Sequence, residues 1–374
     1  MARFLEFVVA VLLVAILGLA VGFSLPKARS VSHSMETNRP VNVAFDMLNG
    51  FQRFNDWNTL KIRDPNVKFT LSGPASGVGA KLEYVSADPT VGSGSWELIE
   101  SVPGEKIVYR VIDNAMGDNK TMRFTFERSG RSQRNVKITQ RYRVEYGYNL
   151  VGRFAGMYMA SNAGKRVQTG LKILSNALAG VPRVDYTIYE HPLQLVDVPA
   201  MNALKVNVEA PLRDDGVAIS MTNQLAWMDK VIEASGFAKD GPLRIVTVDR
   251  TSEAYSFIML LPVRAKDAPE GSSKAATIAE LPVLEATIAG EGNQVVLSQE
   301  APLQAANTKW VGPAPGLQRV RDTLRAWAIV RGYPLDNASQ GFDDYYVDIP
   351  DILNPEAEFQ AFLPMRAPEP AAAP

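Results

Sequence analysis

The stretch NVKITQRYRVEYGYNLVGRFAGMYM, residues 135–159, decides the fold of the first half of the chain. Its first part alternates between mostly apolar and mostly charged side chains, and this period of two predicts a β-strand with one solvent-exposed face. The residues of the inward face are Val136, Ile138, Gln140, Tyr142, Val144 and Tyr146. The pattern therefore predicts an antiparallel sheet in which the amide of Gln140 lies among apolar neighbours.

A helix is predicted to begin within the second part of this stretch and to run to about Leu178. Its apolar stripe consists of Val167, Leu171, Leu174 and Leu178. Small residues recur at every fourth position, namely Gly152, Gly156, Ala160 and Gly164. Because a glycine inside a helix costs roughly 1 kcal/mol relative to alanine, this face indicates either close packing on the sheet or a cavity under the helix. The spacing is compatible with both, whereas Arg153 and Lys165 exclude a transmembrane dimer strip.

Length and composition are typical of a globular protein with two or three domains. The chain has 374 residues, 46% of them hydrophobic, and its 39 basic and 40 acidic residues nearly cancel. It therefore lacks the basic field that holds nucleic acid. The absence of cysteine excludes disulfides and thiolate chemistry. The two histidines, His33 and His191, belong to no metal or nucleophile motif.

The N-terminal residues from Phe7 to Leu25 carry no charge, and their length approaches the ~20 residues that cross a membrane as a helix. A cleaved signal peptide is the alternative, but its apolar core is usually shorter, ~7–15 residues, and a small-residue cleavage site follows it. We therefore predict an uncleaved anchor over residues 1–30. Basic residues on both sides, Arg3 and Lys27, leave the orientation open. We expect the remainder of the chain outside the cytoplasm.

Residues 35–180 form a first predicted domain. A helix is indicated by the spacing of Val41, Ala44, Phe45 and Leu48. Short strand-like runs separated by turn residues follow it at 80–86, 94–101, 106–112, 120–128 and 135–146. This order predicts an antiparallel sheet followed by the long helix.

A second predicted domain, residues 182–366, contains a weak internal duplication. The tripeptide PLQ occurs at 192–194 and again at 302–304, and each copy precedes a predicted helix. These helices span about 218–235 and 315–331.

Gly236 and Gly332 follow the two helices as C-terminal caps. Strand-like runs after each helix predict two βαββ halves. A polar loop at 264–277 joins the halves, and the C-terminal residues 367–374 are predicted to be a disordered tail.

No motif for a nucleotide, a metal or an activated nucleophile stands in the chain, so we predict no cofactor and no classifiable catalysis. The glycine-rich run 73–80 lacks Lys-Ser/Thr and precedes a strand, which indicates a turn. Near the C-terminus, FDDYYVD, residues 342–348, places Asp343 and Tyr345 on the same strand face. A buried carboxylate beside aromatic rings would hold a lipophilic cation. A solvated acidic strand end is the alternative.

Four segments of the first domain resemble the START-like polyketide cyclase/dehydrase superfamily. They are NRPVNVAFDMLNGFQRFNDWNTL, GVGAKLEY, GSGSWELIESVPGEKIVYRV and YGYNLVGRFAGMYM. The resemblance implies a helix-grip fold, in which an antiparallel sheet wraps a long C-terminal helix with an apolar cavity between them. No catalytic motif carries over from the superfamily. The cavity residues that we predict are Trp96, Tyr109, Gln140, Phe154 and Met157.

The second domain resembles the gyrase-inhibitor-like effector-binding domain, which has two βαββ repeats around a shared groove. The family's acidic residue, one intervening residue and tyrosine match Asp343, Asp344 and Tyr345, with Asp where Glu is usual. The resemblance places Asp343 and Tyr345 in the groove, and we expect Trp327 of the second helix nearby. No helix-turn-helix accompanies the domain, so no nucleic-acid partner is expected.

These features predict an α+β protein that is tethered to a membrane and binds lipophilic small molecules in two pockets. One alternative is an enzyme of hydrolase or cyclase type that acts on a hydrophobic small molecule. Another is a structural envelope protein whose pockets are closed. The sequence leaves the ligand, any partner protein and the oligomeric state open.

Overall fold

The computed structural model describes residues 2–131, 133–274, 295–336 and 338–366. It is an α+β protein with two antiparallel sheets and one apolar N-terminal helix. The chain divides into two compact units: the first contains the residues up to 185 together with 330–332, and the second contains the remainder. Each unit holds one of the two sheets.

Helix α1, Ala2–Ser24, is apolar and exposed along its length. By length and composition it could cross a membrane, and a signal sequence would meet the same criteria. The predicted anchor, residues 1–30, extends past the end of this helix. Residues from Ala28 onward already belong to the first sheet.

The first sheet is antiparallel and curls into a half-barrel. Its strands are β1 Ala28–Thr37, β2 Lys68–Ser72, β3 Lys81–Val85, β4 Ser93–Val102, β5 Lys106–Ile112, β6 Asp118–Ser129 and β7 Asn135–Glu145. They are ordered β1-β7-β6-β5-β4-β3-β2. The inward face predicted for β7 is buried from Val136 to Val144, and Tyr146 just after the strand is buried as well.

Strands β1 and β2 are the two edges of this sheet, and the sequence patterns did not predict them. In β1, exposed serines alternate with half-buried side chains such as Val31 and Met35. In β2, most residues are exposed. An edge strand with so little buried apolar surface has a weak hydrophobic pattern.

The helices that accompany the sheet are α2 Val41–Leu48, α3 Leu60–Arg63, α4 Leu150–Ala155 and α5 Lys165–Ala179. The apolar stripe predicted for α5 is buried, and α5 packs against β1 and β7. The predicted long helix continues from Leu150 to Ala179, but a 3₁₀ turn, Gly156–Tyr158, and a π turn, Ala160–Gly164, interrupt its regular α-helical pitch between α4 and α5. This change of pitch exposes Ala160, so the four small residues do not share one face.

Gly152 and Gly156 pack against the ring of Tyr146. A Cβ placed on Gly152 would lie 2.8 Å from Tyr146 Cδ1, and one placed on Gly156 would lie 2.7 Å from Tyr146 Cε2. Both distances are shorter than the contacts that Cβ atoms make with other carbon atoms in proteins. At these two positions the glycines therefore serve close packing, which decides between the two interpretations of their spacing.

The second sheet is also antiparallel. Its strands are β8 Gln194–Val198, β9 Met201–Pro211, β10 Phe237–Lys239, β11 Leu243–Arg250, β12 Ala254–Ala265, β13 Val296–Glu300, β14 Leu303–Val311, β15 Phe342–Tyr345 and β16 Glu358–Pro364. The order is β13-β9-β12-β11-β15-β16-β14-β8, with β10 beside β12. This order is symmetric about the β11–β15 pair, and β8 and β13 each pair with a long strand of the opposite half.

Two helices, α6 Gly216–Ser235 and α7 Leu317–Val330, connect β9 to β10 and β14 to β15. Gly236 and Gly332, the predicted caps, have φ values of 67° and 75° in the left-handed region that glycine favours. The two PLQ tripeptides are not equivalent, because the first enters β8 whereas the second enters β14. The repeated PLQ tripeptide therefore does not mark equivalent positions in the two symmetric halves of the sheet.

The predicted tail, residues 367–374, lies outside the described residues, as do residues 275–277 of the predicted loop. The described part of that loop contains a 3₁₀ turn, Ser272–Lys274.

Candidate ligand-binding sites

A cavity of about 300 Å³ lies between the curled sheet and the segment that leads into α5. Strands β3 to β7 line one side, and the other side is formed by the residues around α3 and by the first turn of α5. Much of the lining is aromatic or apolar and includes Trp57, Tyr84, Trp96, Met122, Tyr142 and Val167. The polar lining includes Arg63, Asp113, Gln140 and Arg166.

Trp57 stands at the centre of the aromatic residues around this cavity. Its ring centroid lies 5.7 Å from that of Trp96, 5.5 Å from that of Tyr109 and 5.4 Å from that of Phe124. Gly170 of α5 lies against its backbone, since a Cβ there would come within 2.5 Å of the Trp57 carbonyl oxygen. A glycine in mid-helix thus allows α5 to approach the residue that lines the cavity.

The indole Nε1 of Trp57 is buried, and it has no hydrogen-bond partner among the described residues. Buried polar groups are rarely left unpaired, and an unsatisfied donor costs about 1–3 kcal/mol. Trp57 is among the residues that line the cavity. The other buried polar lining residue, Gln140, donates from Nε2 to Met122 Sδ at 3.2 Å.

The charged residues at the cavity favour a negative group. Arg63 and Arg166 line it and are exposed, whereas Asp113 already pairs with Lys120 at 2.6 Å. Burial raises the pKa of the lining residue Tyr84 to about 12, with Asp113 adding to this shift and the two arginines opposing it. The Tyr84 hydroxyl is therefore protonated at neutral pH. The cavity combines an aromatic interior with a cationic edge.

The structure brings some of the predicted cavity residues together and separates others. Trp96 and Gln140 line the cavity. Tyr109 lies behind the lining, fully buried, and its hydroxyl donates to the Leu48 carbonyl oxygen. Phe154 and Met157 lie on the outer surface of the unit. The opposite side of this segment, with Gly152 and Gly156, packs against Tyr146.

Sequence reasoning missed Trp57, Arg63 and Arg166 as lining residues. Trp57 and Arg63 belong to a short irregular segment without a periodic pattern. For Arg166 a signal existed, since it stands directly before Val167, the first residue of the apolar stripe of α5. Gly170, inside the same helix, was a second signal of close approach.

A second pocket, of about 220 Å³, lies between α6, α7 and β15 in the second unit. Asp343 and Tyr345 line it together with Met221 of α6 and Arg321 of α7. Helix α6 belongs to the first half of the second unit and α7 to the second half. Asp343 and Tyr345 therefore lie on the face of the sheet that both helices cover. Trp327 lies elsewhere on α7, where its ring centroid is 5.3 Å from that of Tyr333.

Asp343 is buried, and its carboxylate meets a donor within the protein. Its Oδ2 accepts a hydrogen bond from Arg321 Nη1 at 2.6 Å, and the same nitrogen lies 3.0 Å from Thr247 Oγ1. Burial raises the pKa of Asp343 to about 7, and Arg321 opposes that shift. The other oxygen, Oδ1, has no partner within the described part of the chain. A cationic ligand would therefore compete with Arg321.

The opposite face of β15 is also buried, so the solvated strand end is excluded for this segment. Asp344 forms a two-point ion pair with Arg244, at 2.7 and 2.9 Å, and the guanidinium carbon of Arg244 lies 4.2 Å from the Phe342 ring centroid. Both faces of β15 are buried because the strand lies between β11 and β16, inside the sheet. A pocket of about 390 Å³ on this face is lined by Asp344 and Tyr346.

The sequence matches none of the known protein families and no curated protein. Among solved structures, the crystal structure of the EcmrR C-terminal domain matches 47% of this chain and 97% of its own length, at 14% identity and a TM-score of 0.34. Norcoclaurine synthase from Thalictrum flavum matches 41% of this chain and 94% of its own length, at 10% identity and a TM-score of 0.32.

A hydrolase from Listeria innocua matches 46% of this chain and 90% of its own length, at 16% identity and a TM-score of 0.31. These similarities concern the fold alone.

Proposed function

We propose that the protein is a membrane-tethered binding protein for lipophilic small molecules, with its principal site in the cavity of the first unit. The observation that carries the proposal is the cavity of about 300 Å³, which is lined by aromatic side chains and has two arginines at its edge. Trp57, one of its lining residues, keeps a buried indole N–H without a partner among the described residues. A closed structural core would be packed without such a space and would satisfy its donors. Helix α1 supplies the tether.

The preferred ligand has three chemical features. An apolar body would replace water against Trp96 and Tyr142. An acceptor atom would bond to Trp57 Nε1, and an anionic end would lie towards Arg63 and Arg166. An amphiphile such as an alkyl carboxylate combines all three.

The second unit supplies a further ligand site in this proposal, at the pocket lined by Asp343 and Tyr345. It corresponds to the groove of a gyrase-inhibitor-like effector-binding domain, as the first unit corresponds to a START-like domain. Because Arg321 already bonds to Asp343, we expect this pocket to prefer a neutral lipophile with a donor for Asp343 Oδ1 over a cation.

Ala163→Phe tests the first site, because Ala163 is buried and lines the cavity. Ala160→Phe is the matched control, since Ala160 belongs to the same π turn and is exposed. In the full-length protein in lipid nanodiscs, decanoate should raise the thermal unfolding temperature of the wild type and of Ala160→Phe, because a ligand that binds the folded state stabilises it. Ala163→Phe should not respond.

An equal response of Ala163→Phe and the wild type would exclude this cavity as the binding site. No response of the wild type to decanoate, decanol or decylamine would contradict the proposed function and favour the structural alternative.

A further inference from the structure

Arg153 of α4 joins the first unit to the C-terminal end of α1. Its side chain is 1% exposed. Its Nη1 donates to the carbonyl oxygens of Gly22, Phe23 and Leu25 at 3.2, 3.0 and 3.2 Å, and its Nε donates to that of Gly147 at 2.9 Å. The last carbonyls of a helix have no partners within the helix and carry partial negative charge. A guanidinium matches both properties.

This set of hydrogen bonds, the Arg153 clamp, makes the end of α1 part of the folded unit. A buried guanidinium is costly unless its N–H groups are bonded. The end of α1 and the residue after it supply three of the acceptors. Removal of α1 would leave a buried charge without them, which argues against a removable signal sequence.

Only a short connection separates α1 from the sheet. The helix has 23 residues, so at 1.5 Å per residue it is about 35 Å long, little more than the ~30 Å of a hydrocarbon core. Only the residues from Leu25 to Lys27 lie between α1 and β1. If α1 fills the core, its last turn lies at the membrane surface, and α4, which packs on that turn, lies there as well.

The surface beside the last turn of α1 is apolar although it is exposed. We call it the collar, and its residues are Tyr148, Val151, Phe154, Met157 and Tyr158. Val151, Met157 and Tyr158 are 65%, 55% and 67% exposed. A Cβ on Gly22 would lie 3.1 Å from Phe154 Cε2, so the collar adjoins α1. Lys27 Nζ lies 4.9 Å from the ring centroid of Tyr148, and both residue types are frequent at membrane interfaces.

We propose that the collar is a membrane-contacting surface, whose side chains insert into the interfacial region of the bilayer around the base of α1. The Arg153 clamp holds the collar in this position. The inference rests on the membrane tether of the proposed function and adds that the first unit lies directly on the bilayer. Exposed apolar side chains would then be buried in lipid instead of facing water.

The chain has no native cysteine, so single labels report single positions. Three single-cysteine variants of the full chain are each labelled with bimane. They are Met157→Cys in the collar, Val85→Cys on β3 as an exposed control, and Val11→Cys within α1. Val85 and Val11 are 61% and 53% exposed in the protein without a bilayer. Each variant is reconstituted in phosphatidylcholine vesicles with and without brominated acyl chains, and iodide serves as the aqueous quencher.

The label at position 157 should be quenched by brominated lipid severalfold more than the label at position 85, and iodide should show the reverse order. Equal behaviour of positions 157 and 85, with position 11 quenched by lipid, overturns the collar and leaves the tether standing. If position 11 is not quenched either, the tether of the proposed function fails as well. The intact mass of membrane-extracted protein should include α1, and a chain that begins after Leu25 would contradict the clamp.

Discussion

At the scale of single residues, the two units differ in how their buried polar groups are satisfied. In the first unit, the indole N–H of Trp57 has no partner in the described structure. In the second unit, Asp343 is bonded through Oδ2 to Arg321, and only its Oδ1 has no partner there. A buried donor without a partner costs free energy that a bound acceptor would recover. A carboxylate that is already paired with an arginine is much less available to a cation. The first unit therefore has the stronger residue-level case for ligand binding.

Arg166→Gln should weaken the binding of decanoate and leave the binding of decanol nearly unchanged. Two unit charges 4 Å apart in water attract by about 1 kcal/mol, which corresponds to a severalfold change in Kd. Lys165→Gln is the control, because Lys165 is exposed and adjacent and carries the same charge. Titration of each variant with both ligands is the measurement. Equal weakening of both ligands in Arg166→Gln would remove the charge argument.

Asp343 gives the second unit a pH dependence whose expected sign follows from burial of its carboxyl group. Burial raises its pKa to about 7 in the folded protein, above the ~3.9 of an unfolded aspartate. The folded state thus keeps a proton that the unfolded chain has released. The stabilisation from this proton is fully present below pH ~4 and is lost as the pH rises through about 7.

We therefore expect the free energy of unfolding of the wild type, measured relative to Asp343→Asn, to fall between pH 4 and pH 7. Urea titrations of both proteins over this range provide the comparison. A rise over the same range would mean that the ion pair with Arg321 outweighs the cost of burial.

At the scale of elements, the connection from α4 to α5 shows why helix spacing alone could not locate the cavity. A 3₁₀ turn and a π turn change the direction of successive side chains, so the glycines face Tyr146 while Ala163 and Val167 face the cavity. Irregular turns of this kind are frequent at functional sites. The outer side of the same segment carries the collar.

Gly156→Leu should destabilise the first unit, because the new side chain would meet the Tyr146 ring. Overpacking of this kind typically costs 1–3 kcal/mol. Ala160→Leu is the matched control at an exposed position of the same connection. Urea unfolding followed by tryptophan fluorescence should show the loss in Gly156→Leu only. Unchanged stability together with lost decanoate binding would instead place the cavity at Gly156.

At the scale of the whole molecule, the chain consists of two compact units and one exposed apolar helix. Each unit has its own sheet and its own pocket. The Arg153 clamp belongs to the first unit, so the helix and that unit form one body at the base of α1.

Deletion of residues 2–21 should convert the protein from an integral to a peripheral one, because the apolar span is lost while the acceptors of the Arg153 clamp are kept. After an alkaline carbonate wash, the wild type should stay in the membrane pellet and the deletion variant should be released. Decanoate binding should survive, since no deleted residue lines the cavity. A deletion variant that resists the wash would show that the rest of the chain holds the membrane without α1.

Features that depend on local periodicity could be predicted from the sequence. The alternation in β7, the apolar stripe of α5 and the glycine caps of α6 and α7 each follow from residues a few positions apart. The apolar character of α1 follows from composition alone. Strand alternation placed Gln140 on an inward face and put Asp343 and Tyr345 on one common face, whereas the family resemblance indicated which face that is.

The contacts between groups far apart in the chain could not be predicted in this way and are seen in the folded protein. Trp57 and Arg166 are more than a hundred positions apart in the chain, yet they line the same cavity, and Arg321 reaches Asp343 from a helix on the other side of a turn. The outward position of Phe154 and Met157 follows from the packing of Gly152 and Gly156 on Tyr146, on the opposite side of the segment. The physical reason is common to these cases: a local pattern records which side of an element is apolar, whereas pairing and cavities arise from contacts between elements distant in the sequence.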